Sequence, residues 1–172
     1  NSGFLVDRHL RFEIPERMGA DGEVVVPLDT RQLSELAGHL QPLGKVGQIH
    51  AVQVNLRHPG SVGAAMRGSH LAVNLVGILK GPMHRIHVDG ARNIAEAAAA
   101  AGAHALVHIS AIGADPASPS FYGSTKGKGE EAVRAAFPGA TIIRPSVVFG
   151  REDNFVNRFA GMARLLPVLP VV

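Results

Sequence analysis

The sequence predicts an α/β domain built on a doubly wound parallel sheet, with helices on both of its faces. Three observations point there. Short runs rich in β-branched residues alternate with helical patterns of ten or more residues, the signature of repeated βαβ units. The strand candidates are apolar almost throughout, as strands buried on both faces must be. A chain of 172 residues, 46% apolar and 18% charged, can bury a core of useful size and is not disordered. Residues 1–172 are therefore read as one domain.

The chain opens with Asn1-Ser2-Gly3-Phe4-Leu5-Val6, small residues ahead of a helix that starts just after Gly3. Such residues let backbone approach a pyrophosphate, and the helix N-terminus offers N–H groups and a positive dipole end. Alone, an ordinary glycine turn explains the stretch as well. Pro15 ends the first helix near Ile14, and a loop through Met18–Gly22 leads into a strand at Glu23–Val26. A second strand is expected at Gln48–Val54. Pro59–Gly68 reads as a short helix, with proline near its start and glycine just past its end. A third strand follows at His70–Val76. Met83–Ala101 is one long helix whose alanine run has the best helix propensity available, and Gly102 terminates it. Ala105–Ile109 is a buried strand. Tyr122–Phe137 is helical and is ended by Pro138-Gly139; Ala140–Ile143 is a strand and Val147–Phe149 a further extended piece. A last helix, Asp153–Leu166, is capped by Asp153 or Asn154.

Composition removes several classes of function. The net charge is only +3, and the densest basic stretch, Arg8–Arg17, is interrupted by two glutamates, so no nucleic-acid partner is expected. The absence of cysteine excludes disulfides, thiolate zinc sites and thiol catalysis, and fits a reducing compartment. No apolar run approaches the roughly 18 residues of a membrane helix. Leu165–Val172 is apolar but short, and Pro167 and Pro170 break it. No signal peptide is recognisable. With no initiator methionine and an apolar C-terminal stretch, sequence is expected to be missing at both ends. Nine histidines include His84 and His87 at helical spacing, but no third ligand stands at a suitable interval, and no metal site is expected.

The chemistry-bearing pattern is Tyr122-Gly123-Ser124-Thr125-Lys126. Tyr122 is the one tyrosine of the chain, and Lys126 is one of four lysines. Spaced i and i+4, the two share a helix face. An ammonium beside a phenol favours the phenolate and lowers its pKa, so that the phenol can exchange a proton with a hydroxyl or carbonyl near neutral pH. The same ammonium can donate to ribose hydroxyls. A plain surface lysine, paired with Glu130 one turn on, is the competing explanation. Gly123, Gly127 and Gly129 weaken this helix, which makes sense if something packs close to its backbone. Ser110 ends the Ala105–Ile109 strand, at the sheet edge where open parallel sheets bind ligands. It would face the same crevice as Tyr122, although a serine capping a turn explains it equally well. Asn74-Leu75-Val76-Gly77 ends the preceding strand, and Gly77 lets the chain pass close to a ribose.

A strand ending in Asn74…Gly77, a strand ending in Ser110 and then Tyr122-x-x-x-Lys126 is the order of the short-chain dehydrogenase/reductase superfamily, which the chain resembles. "AVRAAFPGATIIRPSVVFGREDNFVNRFAGM" (Ala132–Met162), "VNLVGIL" (Val73–Leu79) and "HISAIGADPASPSFYGSTKGKGE" (His108–Glu130) are similar to the NAD(P)H-binding accessory subunits of respiratory complex I, an atypical extended branch. The resemblance covers about Ala37–Val172. It implies an incomplete Rossmann domain holding NADP(H) or NAD(H). Ser2, Gly3, Phe4 and Leu5 would be the remnant of the pyrophosphate loop, and Asn74, Leu75, Val76 and Gly77 would border the cofactor. Tyr122 and Lys126 would hold its ribose and nicotinamide side, and Pro145, Ser146, Val147 and Val148 would cover the nicotinamide. The implied partners are complex I subunits at the membrane-facing side of the peripheral arm, on the cytoplasmic or mitochondrial-matrix side.

The chain departs from that pattern in places. By that pattern the first strand, the first glycine of the loop and the C-terminal docking region are expected to be missing. Val6 replaces the last loop glycine, and residues 7–35 match poorly. Asp29 favours NAD whereas Arg31 favours NADP. The alternative is an active NAD(P)-dependent reductase, epimerase or dehydratase, with Tyr122 as acid/base, Lys126 as its tuner and Ser110 as oxyanion partner.

Overall fold

A computed structural model of the chain describes residues 24–28, 49–148 and 161. In order these form strand β1 (Val24–Leu28), strand β2 (Ile49–Gln53), helix α1 (Pro59–Met66) and strand β3 (Leu71–Asn74). A π-helical turn, Arg85–Gly90, then runs straight into helix α2 (Ala91–Ala100). Strand β4 (Ala105–Ile109), helix α3 (Phe121–Ala136) and strand β5 (Thr141–Ile143) complete the set. Every described strand pair is parallel: β1 lies on β2, and β3, β4 and β5 lie side by side in that order. A parallel pair cannot be closed by a hairpin, so α2 carries the chain from β3 to β4 and α3 from β4 to β5. The α/β class with a parallel sheet is the one that the sequence predicts.

The core explains why the helices sit where they do. Ala91, Ile94, Ala95 and Ala98 recur at helical spacing along α2 and are buried against Val54, Leu56, Val62, Ala72 and Leu106. Val133 of α3 joins the same cluster. Alanine at most of these places brings the helix axis close to the sheet. At the end of α2, Gly102 takes a φ of +73° while Gly102 N–H donates to Ala99 O and Ala103 N–H to Ala98 O. This double bond pattern satisfies the last carbonyls, as the sequence anticipates for that glycine.

Three expectations need correction. Strands β3, β4 and β5 are not buried on both faces. In β3, Ala72 and Asn74 are buried while Leu71 and Val73 are 46% and 45% exposed, because α2 and α3 both feed the cluster on one side. Nor is Met83–Ala101 one uniform α-helix. Its wider π-turn lets three consecutive residues, Ile86, His87 and Val88, all be buried, which a regular amphipathic helix does not allow. Val147 and Val148 form no strand and are exposed. Pairing beyond β4 and β5 instead continues through Ser110 N–H to Ile143 O at 2.7 Å and Ile112 N–H to Pro145 O at 2.8 Å. Of the expected helix Asp153–Leu166, Gly161 alone is described, and it is helical; the helix expected after Gly3, the Ser2–Leu5 loop, and Asp29 and Arg31 lie outside the described residues.

Ala98 is fully buried. Ala98→Leu is expected to lower unfolding free energy by about 1–3 kcal/mol through overpacking between α2 and the sheet. Urea denaturation with an unchanged m-value is the check.

Candidate functional site

Parallel strands deliver all their C-terminal ends to one edge, and that edge gathers most of the residues singled out in the sequence. Asn74 closes β3, Ser110 follows β4, and Arg144–Val148 follow β5. The first half of α3, with Tyr122 and Lys126, leans over the same edge. Ser120 caps this helix by accepting from Gly123 N–H at 3.3 Å.

Lys126 is 3% exposed, so it is no surface lysine. Its ammonium donates to Ile109 O at 2.8 Å, the last carbonyl of β4. Burial lowers it to about 8, against the pull of the Glu130 carboxylate. A Cβ placed on Gly77 would stand 4.0 Å from Lys126 Nζ, so the backbone after β3 passes directly beside the charge. Lys126 has three N–H donors, and among the described residues one acceptor, Ile109 O, is provided for them.

Tyr122 does not have the activated phenol expected from its spacing. It is half-buried, and burial pushes the phenol up from its ordinary value. The neighbouring ammonium does not offset this, since Lys126 is turned onto the Ile109 carbonyl. The Tyr122 and His87 rings instead pack edge to face, with centroids 5.5 Å apart and planes at 89°.

Asn74 reaches the edge through its backbone alone. Its side chain is buried, with Oδ1 accepting from Val76 N–H at 3.0 Å and Nδ2 donating to His108 Nδ1 at 2.9 Å. It therefore shapes the turn Leu75–Gly77. Because His108 Nδ1 accepts, the His108 proton sits on Nε2, which is buried without a partner. Burial, and then the charge of Lys126, hold His108 down at about 4.

Ser110 is 5% exposed and points inward on the same face of β4 as Leu106 and His108. Its Oγ has no hydrogen-bond partner of good geometry. It lies beside Glu130. Burial alone would raise the Glu130 carboxyl. The Arg144 hydrogen bonds, the Ser110 hydroxyl and the charges of Arg144 and Arg134 outweigh it and hold the group below its usual range. Arg144 grips Glu130 with two bonds, Nε to Oε1 at 2.8 Å and Nη2 to Oε2 at 2.7 Å. That grip fixes the chain immediately before Pro145–Val148.

The glycines of α3 have an internal explanation. A Cβ on Gly127 would overlap the backbone at Asp115–Pro116, and one on Gly129 would overlap the His87 carbonyl. The close packing foreseen for this helix is against the chain itself. Sequence reasoning missed Glu130, Arg144, His108 and His87 as a network. The available signal was Glu130 one turn beyond Lys126, and a His84/His87 pair whose members diverge: His87 is buried and His84 is exposed beside Asp89. Among the described residues no group of three or more His, Asp or Glu stands close enough together to hold a metal.

Two predictions follow from these charges. His87 and His108 both fall from 6.5 to about 4, so the unfolded chain binds protons that the folded chain refuses between those values. Stability is then full above pH 6.5 and declines toward pH 4, by at most on the order of 3 kcal/mol per ring. Urea denaturation at pH 7.5 and 4.5 should show the decline, and His108→Gln should reduce it. In Arg144→Leu, burial dominates the Glu130 carboxyl and raises it. The variant should lose more Tm relative to the parent at pH 7 than at pH 4, where Glu130 becomes neutral, and thermal scans at both pH values test this.

Comparison with known proteins agrees with this frame. The chain is 36% identical over 134 residues to the mitochondrial "NADH dehydrogenase [ubiquinone] 1 alpha subcomplex subunit 9" of Mus musculus, covering 76% of this chain and 36% of that protein. It is 34% identical over 137 residues to a ceramide reductase of Caulobacter vibrioides, covering 77% of this chain and 43% of that protein. The chain thus spans less than half the length of these relatives. Its fold matches a dTDP-4-dehydrorhamnose reductase of Bacillus anthracis solved in complex with NADP, with a TM-score of 0.59 at 20% identity, over 83% of this chain and 60% of that one. The resemblance to complex I subunits read from the motifs is borne out by these relatives. Residues 80–172, which carry α2, β4, α3 and β5, match the RmlD substrate binding domain, and the chain belongs to that family.

Proposed function

We propose that this chain is the nucleotide-holding part of an accessory subunit of a respiratory NADH:quinone oxidoreductase, with NADP(H) or NAD(H) bound as a structural element. One observation carries the reading: Lys126 is buried beside Gly77 with one acceptor, Ile109 O, among the described residues, while the Tyr122 phenol is pushed up rather than down. That combination suits a clamp for ribose hydroxyls better than a proton-transfer catalyst. The names of the relatives supply the assembly.

In this reading Lys126 donates to the ribose and Tyr122 orders the nicotinamide side. The Asn74–Gly77 turn borders the cofactor, and Pro145, Ser146, Val147 and Val148 lie over it, anchored through Arg144. Ser2, Gly3, Phe4 and Leu5 approach the pyrophosphate. A bound dinucleotide supplies hydride chemistry at its nicotinamide. Residues 1–172 serve as one incomplete nucleotide-binding domain, docked on complex I subunits at the membrane-facing side of the peripheral arm, toward the cytoplasm or mitochondrial matrix. No helix among the described residues is long and apolar enough to cross a membrane.

The match to a ceramide reductase and the Tyr–Lys spacing favour a second reading, an NAD(P)-dependent reductase, epimerase or dehydratase. Tyr122 is then the acid/base, Lys126 its partner and Ser110 the oxyanion donor. In the structure Ser110 is buried beside Glu130, and the Tyr122 phenol is pushed up by burial.

Native electrophoresis of gently solubilised membranes tests the assembly. Migration with the NADH dehydrogenase activity band is expected, and migration as a free protein would overturn the first reading. Lys126→Met should weaken binding of the reduced dinucleotide about tenfold or more, through loss of charged hydrogen bonds. Fluorescence titration measures it. Tyr122→Phe should leave co-migration intact, whereas loss of a carbonyl reductase activity in that variant would favour the second reading.

A further inference from the structure

We infer that His87 is a positioning residue for the Tyr122–Lys126 pair: a neutral ring protonated on Nδ1 that fastens the backbone after β3 to helix α3. The inference rests on the reading of this edge as a dinucleotide site.

The hydrogen bonds fix the ring's state. His87 is 2% exposed, turned inward by the π-helical turn. Its Nε2 lies 3.0 Å from the Ile78 nitrogen, whose N–H can only donate, so Nε2 is an unprotonated acceptor. The ring proton is then on Nδ1, 2.9 Å from Thr125 Oγ1. Thr125 Oγ1 is 3.0 Å from Tyr122 O, and a carbonyl can only accept. The chain of donors therefore runs one way, from Ile78 N–H to His87, from His87 to the Thr125 hydroxyl, and from there to the Tyr122 carbonyl. A second proton on the ring would break the first bond. Burial, and then the charge of Lys126, hold the ring down at about 4, which keeps it neutral at physiological pH.

Packing fixes the same pieces. The edge-to-face contact with His87 sets the plane of the Tyr122 ring. The His87 carbonyl lies against Gly129, where α3 has no room for a Cβ. Ile78 follows Gly77, the residue beside Lys126 Nζ. One side chain thus ties together the turn that borders the ribose, the helix that carries both Tyr122 and Lys126, and the tyrosine ring.

The test uses the full protein with His87→Leu, which keeps apolar bulk and removes both nitrogens, and with His87→Gln, which keeps an acceptor for Ile78. Near-UV circular dichroism reports how firmly the Tyr122 ring is held, its share assigned by subtracting the spectrum of Tyr122→Phe. Fluorescence titration gives the Kd for NADPH and for NADH. His87→Leu should lose most of the Tyr122 band and bind the preferred dinucleotide about tenfold more weakly, with far-UV dichroism unchanged, and His87→Gln should restore much of both. A folded His87→Leu protein with the parent's band and Kd would overturn the proposal. If that variant does not fold, nitrogen NMR of the parent decides: a proton on Nδ1 is expected, and one on Nε2 overturns it. A parent protein that binds neither dinucleotide would sink the site reading alone, and the Tyr122 band would still judge the positioning.

Discussion

Helix α3 lies against the π-helical turn and the 113–118 loop because positions 123, 127 and 129 carry no Cβ. At Gly127 the neighbour is the backbone of Asp115 and Pro116, and at Gly129 it is the His87 carbonyl. Neither is a side-chain tip that could swing away. These glycines cost helix propensity, on the order of 1 kcal/mol each relative to alanine, and the cost is tolerated because the whole site depends on the approach. Lys126 reaches Ile109, Glu130 reaches Arg144 and Thr125 reaches His87 only when α3 sits this deep.

Burial at that depth forces each ionisable group to find a partner or to become neutral. The groups on α3 and β4 take different routes. Glu130 stays charged because Arg144 holds it with two bonds and Arg134 lies 3.3 Å away. His87 and His108 stay neutral. Lys126 is the group left between these outcomes, lowered to about 8 and given one backbone acceptor among the described residues. Among the described residues Lys126 keeps its charge beside a single backbone acceptor, while the imidazoles around it are neutral.

Much of this was legible in the sequence. The order of strands and helices followed from β-branched runs, the alanine run and the Gly102 stop, because these are local preferences. Tyr122 and Lys126 did come to one edge, since i and i+4 on a helix share a face whatever surrounds them. The state of the phenol was not legible: it depends on where Lys126 turns its charge, and Ile109 captures that charge across 17 positions of sequence. Ser110 was placed at the correct strand end, but the pleat sends it inward toward Glu130. The π-turn has no signature in spacing, and it decides that His87 faces in while His84 faces out. The apolar strands suggested two covered faces, yet both described crossover helices feed the cluster on a single side of β3.

The ammonium of Lys126 also couples occupancy to folding. Among the described residues this buried cation has one acceptor, and a ligand that brings hydroxyl oxygens to it would add to its solvation. Such a ligand binds the folded chain alone, so its concentration enters the folding equilibrium directly. The supply of that ligand in a cell would then set how much of the protein survives proteolysis, and abundance would report on the ligand without any dedicated sensor.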